Sequence, residues 1–360
     1  MKFSCLGAQF GTSGQRKYST TSHIAANLIL GEFKSQETRN FLSAAYADTT
    51  WRKFDSAAKS YAKFEVEENI TTEWPLSEEN LLLYATWGFA RGGLKASSIE
   101  SYLGLLKTIH KFKSLDTSAF DSFALKSLIR GKENLEIYSQ EVKATRKVMS
   151  LPLLKILGHA IAKKDWSENS KQVVWGAATL AFFGSLRCGE ILPQNENSCS
   201  PPDTLLWEDL KFYGEDHILI HVKNAKTRVK GGEFVDIFSF EGHGVCPIKA
   251  MKKLKENAKN YDPKSPVFCF DTGVGLTRRK LNGILCSLLE PYIGHEARNI
   301  TGHSFRAAIP AVLARFPDLC KSHDIMGWGR WKSDAYLLYT RLKVDQKRCT
   351  FVTITSLLNM

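Results

Sequence analysis

The chain has 360 residues, 43% apolar and 24% charged, enough to pack a core in each of about two domains at roughly 150 residues apiece. That composition excludes fibrous and wholly disordered classes, and no apolar run approaches the roughly 18 residues a membrane span needs. Lysines and arginines outnumber acids by 49 to 37, a net charge of +12, which favours a polyanionic partner and puts nucleic acid first. The eight cysteines (Cys5, Cys188, Cys199, Cys246, Cys269, Cys286, Cys320, Cys349) form no C-x-x-C pair. They fit neither a zinc ribbon nor a dense disulfide framework, and a reducing compartment is the simplest setting.

Residues 1–35 read as a flexible N-terminal arm: Lys2, Arg16 and Lys17 lie among many Ser, Thr and Gly residues, with no acid before Glu32. Such a start resembles both a mitochondrial transit peptide and an arm that touches DNA, and its weak helical periodicity favours the arm. Residues 36–131 read as four short helices. Thr50 can cap the first, whose apolar face is Trp51, Phe54, Ala58, Tyr61 and Phe64. Ser77, with Glu78 and Glu79 in the first turn, starts a second that carries Leu81, Leu82, Ala85 and Phe89 and stops at Gly92-Gly93. Ser97 or Ser98 caps a third with Ile99, Tyr102, Leu103, Leu106 and Ile109. The fourth runs through Phe123, Leu125 and Leu128 to Gly131. Arg91, Lys95, Lys107, Lys111 and Lys113 on this bundle are available for phosphates, or form an ordinary solvated face.

Residues 132–149, polar and without convincing periodicity, read as a linker. After Ser150 comes a helix over Leu151–Ile161, then a nearly all-apolar one from Val173 to Phe183 that must be buried. Leu210–Tyr213, His217–Val222 and Phe234–Phe238 read as short strands, joined by Gly214-Glu215-Asp216 and by a longer turn over Lys226–Gly232. From Pro247 onward the pattern is helical again.

Chemistry concentrates in three blocks. Gly184-Ser185-Leu186-Arg187-Cys188-Gly189-Glu190-Ile191 follows the apolar helix, and Glu190 is placed to brace Arg187. Taken alone, that is an ordinary structural ion pair. Thr301-Gly302-His303-Ser304-Phe305-Arg306 puts an imidazole and a guanidinium on one helical face, where they can hold two oxygens of one phosphate. The spacing is weak by itself, since His295 and Arg298 repeat it. The third block is Gly327-Trp328-Gly329-Arg330-Trp331-Lys332-Ser333-Asp334-Ala335-Tyr336-Leu337-Leu338-Tyr339-Thr340-Arg341.

In this order the blocks, with a lysine in the strand hairpin, resemble a tyrosine recombinase of the phage-integrase superfamily. The wording of the last two is closest to eukaryotic mobile-element recombinases, the Cryptons and the Ngaro or DIRS retrotransposons. Several ordered motifs make a strong signal where each alone is weak. The resemblance implies a mainly α fold with a small antiparallel β-sheet: a helical SAM-like core-binding domain at 36–131 and a mixed α/β catalytic domain at 150–340, followed by a tail at 341–360. It implies Arg187 and Arg306 as the clamp on the scissile phosphate, His303 as an acid/base between them, Trp331 as an indole donor and Tyr339 as nucleophile, with Glu190 supporting Arg187. Lys226 is the hairpin lysine, with Lys223 as runner-up. Tyr336 is the alternative nucleophile, although its place after Ser333-Asp334-Ala335 suits packing.

The chemistry is coherent without the family name. A tyrosine hydroxyl needs fixed donors around the phosphorane, two arginines supply permanently charged forks, and a lysine or histidine can protonate the leaving 5′ oxygen. That protonation removes any need for a metal, and exchanging a phosphodiester for a phosphotyrosine conserves bond energy, so no nucleotide cofactor is implied. The expected function is site-specific DNA recombination through a 3′-phosphotyrosyl intermediate, on double-stranded DNA, with self-assembly into a dimer or tetramer and no membrane. A type IB-like topoisomerase and a domesticated DNA-binding protein with decayed catalysis are the alternatives. The setting is nuclear if the element is eukaryotic, with mitochondrial targeting as the lesser option, and otherwise cytoplasmic or nucleoid. Trp328 and Phe305 read as core and His323 as surface, while His217, His221 and His243 lack ligand spacing. Pro310, four residues after Arg306, should bend the helix carrying that arginine unless it falls in a first turn. The apolar end, Phe351–Met360, either folds back or docks on a neighbouring protomer.

Overall fold

The computed structural model describes residues 24–138, 147–197, 204–223, 231–240, 244–258, 262–314 and 320–330. The chain divides into two compact units, Met1–Lys143 and Ala144–Met360.

The described part of the first unit is helical: α1 (Ile24–Leu30), α2 (Gln36–Ala44), α3 (Asp48–Glu67), α4 (Glu78–Ala90), α5 (Ala96–Phe112) and α6 (Phe123–Tyr138). Its core is aromatic at helical spacing: Trp51, Phe54, Tyr61 and Phe64 of α3 pack with Leu81 and Tyr84 of α4 and with Ile99, Leu106 and Ile109 of α5. Ala57, rather than Ala58, completes the α3 stripe. Ser77 caps α4, accepting from the Asn80 N–H. His110 sits at the bottom of this core, where Trp74 stacks on it at 4.3 Å and Phe120 meets it edge-on. Its Nε2 accepts from the Leu76 N–H at 3.1 Å and its Nδ1–H donates to the Leu106 carbonyl at 2.9 Å. Burial holds the imidazole below its ordinary pKa, outweighing the bond to that carbonyl.

Four expectations need correction here. Part of the supposed arm is α1, whose Ala25, Ala26, Ile29 and Leu30 are buried in the core. The Ala25 N–H, one of the donors a helix start leaves without a partner, is met by Asp55 of α3 at 2.8 Å. The last helix runs seven residues past Gly131 to Tyr138, into the supposed linker. On that extension Glu136 accepts from the Ala96 N–H at 2.9 Å, so α5 starts at Ala96 on a carboxylate from another helix rather than on Ser97 or Ser98. Likewise α3 starts at Asp48, two residues before Thr50. Of the basic residues on this unit, Arg91 pairs with Glu68 at 2.5 Å, Lys107 with Asp121 and Lys113 with Glu32, while Lys95 and Lys111 are exposed.

The second unit holds α7 (Leu151–Ala162), α8 (Glu168–Phe183), α9 (Cys188–Ile191), β1 (Leu210–Tyr213), β2 (His217–Val222), β3 (Glu233–Phe238), α10 (Pro247–Asn257), α11 (Arg278–Ile293), α12 (Gly302–Arg306), α13 (Ala308–Leu313) and α14 (Ser322–Gly329). Ser150 caps α7, accepting from the Leu153 N–H. The apolar helix α8 is central: Val173, Val174, Ala177, Ala178, Leu180 and Ala181 are wholly buried, as its lack of a polar face requires. The strands form an antiparallel sheet in the order β1-β2-β3, with Leu210 opposite Ile220, His217 opposite Phe238 and Val222 opposite Glu233. Ile218, Ile220, Val222 and Ile237 face the core. The other face carries a row of stacked rings, Tyr213 on His217 and His217 on Phe238.

Pro310 does not bend the helix that bears Arg306. That helix ends at Arg306, Ala307 turns the chain, and Pro310 occupies the third position of α13, whose N–H would have no helical partner in any residue.

Candidate active site

Two turns with left-handed backbone build the site. After α8 ends at Phe183 and Gly184 caps it, Ser185 takes φ +46, which swings the chain so that Arg187 opens α9. After α14, Arg330 takes φ +50. Neither residue is glycine, so each conformation carries strain that its surroundings must offset.

Glu190 is the centre of the ionic network. Its Oε2 accepts from the Arg187 backbone N–H at 2.9 Å and its Oε1 from the Arg187 Nη1 at 2.7 Å. The same Oε2 accepts from the Arg330 Nη2 at 2.5 Å. Its side chain is only 3% exposed. Burial pushes this carboxyl up, but Arg330 and the bonds from Arg187 outweigh it and hold the group below the usual glutamate range. It is therefore a standing negative charge that aligns two guanidiniums. The pairing expected between Arg187 and Glu190 is present, and Arg187 keeps 26% of its side chain open to solvent.

Arg306 is 1% exposed and faces backbone. Its Nη1 donates to the Ser185 carbonyl at 2.9 Å and its Nη2 to the Gly329 carbonyl at 2.6 Å. The Gly329 carbonyl belongs to the last residue of α14, where free acceptors and the helix dipole favour a cation, and the Ser185 carbonyl lies in the turn just past α8. One guanidinium thus staples both left-handed turns.

His303 stands half-buried in the first turn of α12. That helix is seated by three contacts: Thr301 and Ser304 bond reciprocally, Asn282 of α11 accepts from the Gly302 N–H at 2.8 Å, and Cys188 Sγ donates to the Gly302 carbonyl at 3.3 Å. Burial pushes the Cys188 thiol up to about 12, so it is a neutral packing group. Gly302 is required by proximity: a Cβ there would lie 2.6 Å from Cys188 Sγ.

The structure therefore brings Arg187, Glu190 and Arg306 together, with His303 one turn before Arg306. Lys223, the runner-up for the hairpin lysine, is paired at 2.7 Å with Asp209, a buried carboxylate that also accepts from the Leu206 N–H. Lys226, Trp331, Tyr336, Tyr339 and the 341–360 tail lie outside the described residues, as does His243. Trp328, expected in the core, is 44% exposed, whereas Phe305 is buried and His323 exposed as expected. His217 pairs with Asp236 at 2.8 Å.

Sequence reasoning missed two members of the network. Arg330, 13% exposed, also donates through Nη1 to Glu233 at 2.9 Å, and Glu233 is the first residue of β3, opposite Val222. The available signal was an arginine set between Gly329 and Trp331 at the end of an apolar block, where glycine would suit the backbone better.

No protein-family model matches the chain, and no curated protein does. Solved structures do. The chain is similar to residues 82–397 of the Tn1549 transposon integrase in complex with circular intermediate DNA, with a TM-score of 0.57 at 14% identity over 92% of this chain and 99% of that one. It is similar to the XerH site-specific recombinase bound to its palindromic difH substrate, with a TM-score of 0.57 at 13% identity over 91% of this chain and 94% of that one. At such identities the likeness is one of fold: mainly helical, with a small three-stranded antiparallel sheet.

Proposed function

We propose that this chain is a site-specific DNA recombinase of a mobile element, cutting and rejoining double-stranded DNA through a 3′-phosphotyrosyl intermediate without metal or ATP. The observation that carries this reading is that Glu190 binds both Arg187 and Arg330 while Arg306 binds the backbone beside each, at Ser185 and Gly329, so that the three sequence blocks meet within a fold shared with DNA-bound integrases.

In the proposed reaction the Tyr339 oxygen attacks phosphorus and the 5′ oxygen leaves, taking a proton from Lys226 or His303. Arg187, aligned by Glu190, meets the charge developing on the non-bridging oxygens. Arg306, held by the Ser185 and Gly329 carbonyls, is the second arginine of the clamp in this reading. Trp331 adds an indole N–H. The incoming 5′ hydroxyl of a second strand then reverses the step. Assembly of two or four protomers on DNA brings the strands together, and a nuclear setting follows if the element is eukaryotic.

The test is a nicked suicide substrate bearing the element's terminal sequence, or supercoiled plasmid where that sequence is unknown. A protein–DNA adduct on a denaturing gel supports the reading. Binding without any adduct or relaxation, under all conditions tried, would leave the DNA-binding alternative.

A further inference from the structure

We propose that Arg330 is a positioning residue that ties the Arg187 segment to the base of the β2–β3 hairpin, so that Arg187 and the Lys223 end of β2 are set by one strut. The inference rests on the proposed DNA-cleaving reaction for its catalytic consequence, but its geometry stands apart from that reaction.

The argument begins with the backbone. Arg330 has φ +50 and ψ 45 at the end of α14, a conformation that costs an L side chain energy and costs glycine almost none. The side chain must therefore supply something in return. Its two terminal nitrogens diverge onto two carboxylates from different elements: Nη2 to Glu190 of α9 at 2.5 Å, and Nη1 to Glu233 of β3 at 2.9 Å. Glu190 already holds Arg187, and Glu233 stands across from Val222, one residue before Lys223. A planar, permanently charged fork can bridge two acids in this way, whereas a lysine ammonium has no such fixed geometry. Only 13% of the side chain is exposed, so solvent screens the pairs weakly.

Arg330→Gly separates the side chain from the backbone, because it relieves the left-handed strain while removing both ion pairs. In the full-length protein, we expect amide hydrogen exchange to accelerate at 187–191 and at 231–236 together. Adduct formation should slow by about a hundredfold, the scale of a roughly 1 Å misplacement, with DNA affinity changed less than about twofold. Arg330→Lys should restore little of the rate. Glu233→Gln cuts one leg only: it should slow adduct formation while leaving exchange at 187–191 unchanged. Should Arg330→Gly fail to fold, Glu233→Gln decides the matter, and an unchanged rate in that variant overturns the coupling. If the wild type forms no adduct, the proposed function fails, and hydrogen exchange still judges the strut. Unchanged exchange at both segments in Arg330→Gly, with a raised melting temperature from relieved strain, overturns the proposal.

Discussion

Gly302→Ala tests how the helix bearing His303 and Arg306 is seated. A Cβ at this position would lie 2.6 Å from Cys188 Sγ and 3.0 Å from Cys188 Cβ, well inside contact distance. The backbone there is held by Asn282 and by Cys188 itself, so the clash cannot be relieved by a free swing of the chain. Overpacking of this kind costs about 1–3 kcal/mol. For a unit of this size that is about 2–4 °C of melting temperature per kcal/mol. Cys188→Ala alone should cost about 1 kcal/mol, the usual scale of a single substitution. In the double variant the sulfur that clashes is gone, and only the 3.0 Å contact between β-carbons remains, which a shift of a few tenths of an ångström relieves. The double variant should therefore be more stable than the sum of the singles requires, by roughly 1 kcal/mol or more, as for residues in contact. Differential scanning calorimetry of the full chain reads this. Strict additivity would refute the close approach of α9 and α12.

Three further outcomes are expected. Glu190→Ala should cost about 3–5 kcal/mol in urea unfolding, because two guanidiniums lose their shared buried carboxylate; Glu190→Gln, which keeps the shape, should cost less. His110 has a lowered folded pKa, so its contribution is present in full above its unfolded value of about 6.5 and is lost as pH falls below it. Melts of the first unit at pH 7 and pH 5 should differ more for wild type than for His110→Gln. Ile29→Ala should destabilise the first unit by about 2–5 kcal/mol, as a fully buried aliphatic does, whereas a change on a flexible arm would leave its transition unmoved.

The three strands were legible because they alternate and are rich in β-branched and aromatic residues, with Gly214 taking the positive φ of the turn between β1 and β2. The apolar helix α8 was legible because a stretch without a polar face has only one place to go. Other features depend on partners distant in sequence. The α1 helix is seven residues long, and the donor at its start is met by Asp55, thirty residues on. Residues 132–138 look like linker because Leu135, Ile137 and Tyr138 stay exposed, and their role is to bring Glu136 to the start of α5. Within the site, the Arg187–Glu190 pair is local and was readable from spacing. The Arg330 strut was not, since its two carboxylates lie 140 and 97 residues away.

A covalent bond between a tyrosine of this chain and a DNA 3′ phosphate is the central claim, and it can be measured directly. Reactions with supercoiled plasmid are quenched in detergent, the DNA-linked protein is digested, and the nucleotide-bearing peptide is sequenced by mass spectrometry. The expected result is an adduct on Tyr339, formed equally in EDTA, retained in Tyr336→Phe and absent from Tyr339→Phe although that variant still binds DNA. An adduct that persists in Tyr339→Phe, or one that forms only with magnesium, would contradict it.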